Sequence, residues 1–153
     1  MRLEVENIAA FKEMEGKALP DGEWITVTQE MINAFARATL DFQWIHVDVE
    51  RAKKESPFKT PIAHGFMSVS LLSKMIEDAI LINSAKMGVN YGLNKVRFPH
   101  PVAVDSKLRM ACVVAKIDDY GDNGIKIFWD CTVEIQGNEK PACVGQFITL
   151  LFE

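Results

Sequence analysis

Cysteine is scarce in this chain: Cys112, Cys131 and Cys143 fall singly within apolar stretches. An odd count without the close spacing of metal-ligand pairs argues against a disulfide framework and predicts reduced, buried thiols. The three histidines, His46, His64 and His100, stand apart in the sequence, and His100 lies between two prolines. No metal site is therefore expected, and no cofactor is required. Neither a glycine-rich phosphate loop nor a serine nucleophile elbow occurs. The charge balance is weakly acidic, with a formal net charge of −4, so the electrostatic footprint of a nucleic-acid partner is missing. The most apolar segment, Phe66 to Ile82, is interrupted by Lys74, Glu77 and Asp78. It is slightly short for a bilayer span and predicts a core helix, with no membrane insertion. The first residues carry Glu4, Glu6, Glu13 and Glu15 in place of a basic flank and apolar run, which points to a cytoplasmic location.

What is present is enough apolar mass for a core. With 153 residues, 48% of them hydrophobic, one globular domain over residues 1–153 is expected. Glu23 to Val27 reads as a short strand, and Thr28 caps a helix running to about Leu40 with Met31, Ile32, Phe35 and Ala36 on its inner face. Trp44 to Val47 has no helical period and reads as loop. Val49 to Glu55 predicts a short charged helix closed before Pro57. A long helix follows from about His64 or Gly65 to Ile82, apolar nearly all round and so expected to be buried on several sides.

Beyond Val89 the period changes to two. Ile125, Ile127, Trp129, Cys131, Val133 and Ile135 alternate with a mostly polar face, the pattern of a half-buried strand. Gly88–Phe98, with a bulge near Gly92 and Asn94, Leu108–Ile117 and Ala142–Leu151 supply three more strands, and Gly121-Asp122-Asn123-Gly124 and Gln136-Gly137-Asn138 are turn sequences. The fold class is α+β: a largely antiparallel sheet packed around one buried helix. Its exposed edges predict a homodimer.

Asp41 and His46 are the leading candidates for chemistry. Five positions apart, a carboxylate and an imidazole can face one small volume and share the protons of one water. The alternative is an aspartate ending one helix and a histidine satisfying loop backbone. Trp44 and Ile45 between them would wall the pair with apolar surface and raise the carboxylate's basicity by desolvation. Gly65 opens the long helix, so its N–H is free to meet a developing oxyanion, or it is simply the glycine of a tight turn. His64 would cap or orient that turn, and Ser73 is a small residue two turns on. Asn90 and Tyr91 are candidate pocket residues. Lys95 and Arg97 are candidates for phosphate contact, or solvated strand charges.

The series Asp41-x4-His46, Ala52, and Ile62-Ala63-His64-Gly65-Phe66 resembles the MaoC-like (R)-specific enoyl-CoA hydratases. The details Gln43-Trp44-Ile45-His46-Val47-Asp48, Arg51-Ala52, Glu55-Ser56-Pro57-Phe58 and Asn90 to Phe98 resemble the nodulation-protein-N-like branch. The resemblance covers roughly residues 20 to 150. It implies a hot-dog fold, a curved antiparallel sheet wrapped around a long helix, commonly dimeric through sheet edges. It also implies an acyl thioester of coenzyme A or acyl carrier protein as substrate, with Asp41 and His46 activating water and Gly65 as the amide donor. Ser73 is implied in a supporting role. Leu40, Gln43 and Trp44 stand where the commonest hydratase pattern has Gly, Asn and Pro, and the Gln43 amide is expected to orient its neighbours. Two other activities fit the same resemblance: acyl-thioester hydrolysis, and binding of acyl thioesters without turnover.

Overall fold

The computed structural model describes residues 1–153. The chain begins with β1 (Leu3–Val5) and α1 (Ile8–Lys12), followed by β2 (Ile25–Thr26) and α2 (Gln29–Thr39). Three short helices come next, α3 (Trp44–Val47), α4 (Val49–Glu55) and α5 (Gly65–Ser70), and then α6 (Leu72–Ala79). Strands β3 (Ile80–Ile82), β4 (Met87–Arg97), β5 (Lys107–Tyr120), β6 (Gly124–Ile135) and β7 (Cys143–Phe152) complete it. Five strands form one antiparallel sheet in the order β2-β5-β6-β7-β4. This curled sheet with its helices is the expected hot-dog arrangement.

The period-two reading of β6 holds residue by residue: Ile125, Ile127, Trp129, Cys131, Val133 and Ile135 are all buried. They join Leu108, Met110 and Val114 of β5 and Met67, Leu72, Met75 and Ala79 of the helical segment in one core cluster. Hairpins join β5 to β6 and β6 to β7. The strand β4 does not pair with β5, its successor in sequence; it crosses the sheet to pair with β7 and becomes an edge. The irregularity expected near Gly92 is a register shift between Asn90 and Gly92, with a second between Asn94 and Arg97.

Three expectations are corrected. The helix opening at Gly65 does not reach Ile82, because the apolar residues Ile80–Ile82 turn extended and pair in parallel with β1. Its two helical segments join at Leu71, which keeps helical backbone at φ −72 and ψ −16 and donates to Met67 O. Burial is confined to one face: Met67, Leu72, Met75 and Ala79 are enclosed, whereas Phe66 is 70% exposed and Ser73 lies on the open side. The third correction is local. Trp44–Val47 forms a single helical turn, with His46 N–H on Gln43 O and Asp48 N–H on Trp44 O.

Candidate active site

The site is assembled where the end of α2 meets the entry to α5. Helix α2 is capped by Thr28, whose hydroxyl accepts from Met31 N–H, and it stops at Leu40, in the left-handed region at φ 62. That reversal sends Asp41 off the helix axis. The Asp41 carboxylate then accepts from Gln43 N–H at 3.3 Å. Gln43 thus contributes through its main chain, and the expected orienting action of its side-chain amide is not seen.

Two hydrogen bonds clasp the α3 turn to the segment before α5. Ile62 N–H donates to Ile45 O at 3.1 Å, and His46 Nδ1 lies 2.6 Å from Ile62 O. A carbonyl only accepts, so Nδ1 carries the proton and Nε2 keeps its lone pair. Gln29 of α2 adds a bond to His46 O at 2.8 Å. The imidazole is 6% exposed. Burial holds it below its ordinary value of 6.5, the bond to Ile62 O opposes that, neighbouring His64 lowers it further and Asp41 raises it. His46 is accordingly a neutral base near neutral pH, with Nε2 available.

His64 lies against both partners. Its Nε2 donates to Asp41 O at 3.0 Å, and its ring stacks on His46 with centroids 3.8 Å apart and planes 24° apart. Phe35 of α2 packs on it at 5.0 Å. A carboxylate oxygen of Asp41 and one ring nitrogen each of His46 and His64 lie within 4.8 Å of one another. The stacking of the two rings, 24° from parallel, is an unfavourable arrangement for two imidazole nitrogens to converge on one tetrahedral cation. The set is suited to moving protons. Trp44 and Ile45 do not enclose the carboxylate in the single chain, since the Asp41 side chain is 54% exposed. Its expected desolvation is corrected on that ground.

Gly65 is the first residue of α5, and its N–H has no acceptor within the helix. A Cβ at this position would lie 3.2 Å from the Phe98 ring, a tight contact that the ring would have to give way to. Ser73 Oγ donates to Asn90 Oδ1 at 3.3 Å across the gap between α6 and β4. Both lie on the rim of a cavity of about 460 Å³ walled by Ile76, Ile80, Trp129 and Phe147. Asp41, His46 and Gly65 are not part of that wall. Tyr91 lies apart, against Tyr120 at 6.3 Å and beneath the Lys126 ammonium at 4.4 Å. Lys95 has a left-handed backbone at φ 51 and lines a separate cavity of about 960 Å³ with Asp130 and Gln146. Arg97 is exposed and donates to Val96 O. Sequence spacing did not expose the Ile62 carbonyl, the histidine stack or Phe98, because these contacts join segments 16 to 33 positions apart; the pairing of His64 with Gly65 was their only local signal.

Comparison with known proteins identifies the family. The family profile described as "MaoC like domain" matches residues 11–127. The 3-hydroxyacyl-thioester dehydratase Z of Mycobacterium tuberculosis is 43% identical over 143 residues, covering 94% of both chains. Nodulation protein N of Rhizobium leguminosarum bv. viciae is also 43% identical, over 137 residues, 89% of this chain and 85% of that one. Among solved structures, an (R)-hydratase from Pseudomonas aeruginosa in the unliganded form superposes with a TM-score of 0.71 at 22% identity, covering 91% of this chain and 82% of that one. That last likeness bears on the fold.

Proposed function

The chain belongs to the MaoC-like domain family, and we propose that it hydrates a trans-2-enoyl thioester to the (R)-3-hydroxyacyl thioester and catalyses the reverse dehydration. Membership makes it an enzyme of the hydro-lyase type. The direction, handedness and carrier are our reading. The observation that carries it is the meeting of an ionisable carboxylate, Asp41, with a neutral imidazole, His46, whose free Nε2 is fixed by the Ile62 carbonyl.

The chemistry follows from these groups. The pair takes a proton from water as the water oxygen bonds to C3, and the π electrons of C2=C3 shift toward the thioester carbonyl. Gly65 N–H stabilises the negative charge gathering on that oxygen. The pair then returns one proton to C2, so no net proton is consumed. Dehydration runs the same steps backwards.

The acyl chain has a natural recess beside Ser73 and Asn90, in the mostly apolar cavity between α6 and the sheet. A homodimer belongs to the same reading. Along the eleven residues of β4 no side chain is fully buried, and this edge strand presents Val89, Tyr91 and Leu93 to solvent. Phe42, Phe66 and Phe98 are exposed too, each close in sequence or space to the proposed site. A second copy on the β4 edge would complete the sheet ladder and exclude water from Asp41.

A chain-length series of trans-2-enoyl-CoA substrates tests the reaction. Loss of the conjugated thioester absorbance with formation of (R)-3-hydroxyacyl-CoA is expected. Release of free thiol without a hydroxyacyl product would replace this reading with thioester hydrolysis, and saturable binding without either reaction would make the chain a binding subunit. Acyl-carrier-protein thioesters run in parallel identify the carrier.

A further inference from the structure

The His64 side chain touches both members of the pair, and it precedes the proposed oxyanion donor in sequence. Resting on the hydration reading, we propose that His64 is a positioning residue that pins the Asp41 main chain, lies flat on His46, and so holds carboxylate, base and Gly65 amide in one arrangement.

Three observations carry this. His64 is 3% exposed, so its ring has no solvent-driven reason to occupy any one orientation. Its Nε2–H is used on Asp41 O, 23 positions away, at the point where Leu40 in the left-handed region has just redirected the chain. That bond fixes the main chain from which the carboxylate projects, and Gln43 N–H holds the carboxylate itself. The ring face is used on His46 at 3.8 Å, and Phe35 closes the side of the stack. A buried histidine serving packing alone would satisfy its polar atoms; here Nδ1 is left buried without a partner, while the other nitrogen meets the catalytic segment.

The stack also has an electrostatic consequence. Two imidazolium ions at that separation repel, so a proton on His64 disfavours one on His46. The titratable groups acting on His46 are His64, from the entry to α5, and Asp41, from the turn after α2. They oppose each other. Replacing His64 with an uncharged residue of similar burial removes one lowering influence, leaves burial, the Ile62 bond and Asp41 in place, and so moves the His46 titration upward.

Two variants separate the functions. His64→Gln keeps an N–H donor without the ring, and His64→Phe keeps a ring without the donor. Hydration kcat should fall on the order of 10²-fold in His64→Phe with little change in KM, the scale of a misplaced catalytic group, and His64→Gln should recover much of that loss. In both, the His46 ring, followed by nitrogen-edited NMR, should titrate at higher pH than in the unsubstituted protein. Equal losses in the two variants with an unmoved His46 titration would reduce His64 to a packing residue and overturn the proposal, as would unchanged kcat in both. The NMR readout does not depend on turnover. An unsubstituted protein inactive on every enoyl thioester, with a moved titration in the variants, rejects the hydration reading while upholding the control of His46 by His64; normal hydration with neither change rejects the role of His64 alone.

Discussion

Gly65 and Phe98 approach so closely that a single methyl group on Gly65 would stand 3.2 Å from the Phe98 ring. Phe98 is 41% exposed, so the ring can yield by a few tenths of an ångström. As the first residue of α5, Gly65 gains from alanine less than the roughly 1 kcal/mol of a helix interior. Gly65→Ala should therefore fold with nearly unchanged stability, while its methyl and the shifted ring obstruct the approach of a carbonyl to the amide. A fall in hydration kcat of about 10²-fold is expected, the loss typical of one oxyanion donor. A melting curve alongside steady-state kinetics checks both halves; full activity would remove Gly65 from the site.

Asp41→Asn and His46→Gln test the pair itself. Asp41 is largely exposed and its carboxylate receives only one main-chain N–H, so the amide substitution should leave the fold intact. Glutamine at position 46 retains a donor able to reach Ile62 O. Each variant should lose hydration by at least about 10²-fold, measured on a short enoyl-CoA with circular dichroism confirming the fold. Near-normal turnover in both would refute the assignment.

His46 also predicts how stability varies with pH. In the unfolded chain its imidazole titrates near the ordinary 6.5, whereas in the fold burial holds it lower. Between those two values the unfolded chain binds the extra proton. The stability contributed by the neutral buried ring is therefore complete above 6.5 and is lost as pH falls toward the folded value. Urea unfolding from about pH 8 to about pH 5 should show a steeper acid decline in the unsubstituted protein than in His46→Gln. Parallel profiles would contradict the burial argument.

Much of this architecture is visible in local pattern. The alternation of β6, the Gly121–Gly124 turn and the Thr28 cap depend on residues a few positions apart, and each is found where the pattern puts it. The pairing of β4 with β7 and the end of α6 at Ala79 depend on distant strands and have no local signature. The same holds for the amino-terminal helix α1, five residues long. It is anchored by the fully buried Phe11, whose ring meets Trp129 at 5.7 Å, a contact spanning most of the chain. For the site, the residue types Asp41, His46, His64 and Gly65 were readable, whereas the stack of the two imidazoles arises only when α3 and the entry to α5 are clasped together.

Leu40 carries a cost at the end of α2. A non-glycine residue at φ 62 is disfavoured by roughly 1–2 kcal/mol, and its side chain is 78% exposed, so little burial compensates in the single chain. Leu40→Gly relieves that conformation but adds freedom to the unfolded chain. The net gain should be up to about 1 kcal/mol, seen as a rise in Tm of a few degrees. A fall in Tm would indicate that the leucine is covered, with the partner surface of a dimer the first place to look.

The proposed dimer makes the sharpest demand on β4. In an isologous antiparallel pairing residue i of one strand meets residue j of the other and j meets i, so like charges placed at two positions flanking the axis are brought together and oppose assembly. Val89 and Leu93 are 40% and 44% exposed, and replacing both with lysine removes apolar surface without disturbing the enclosed core. Light scattering coupled to size exclusion should report a dimer for the unsubstituted protein and a monomer for the double variant. Activity should fall as well, because Asp41 would then remain open to water and because Val89 also lines the proposed acyl recess. A double variant that stays dimeric would move the interface elsewhere, whereas a fully active monomer would show that one chain suffices.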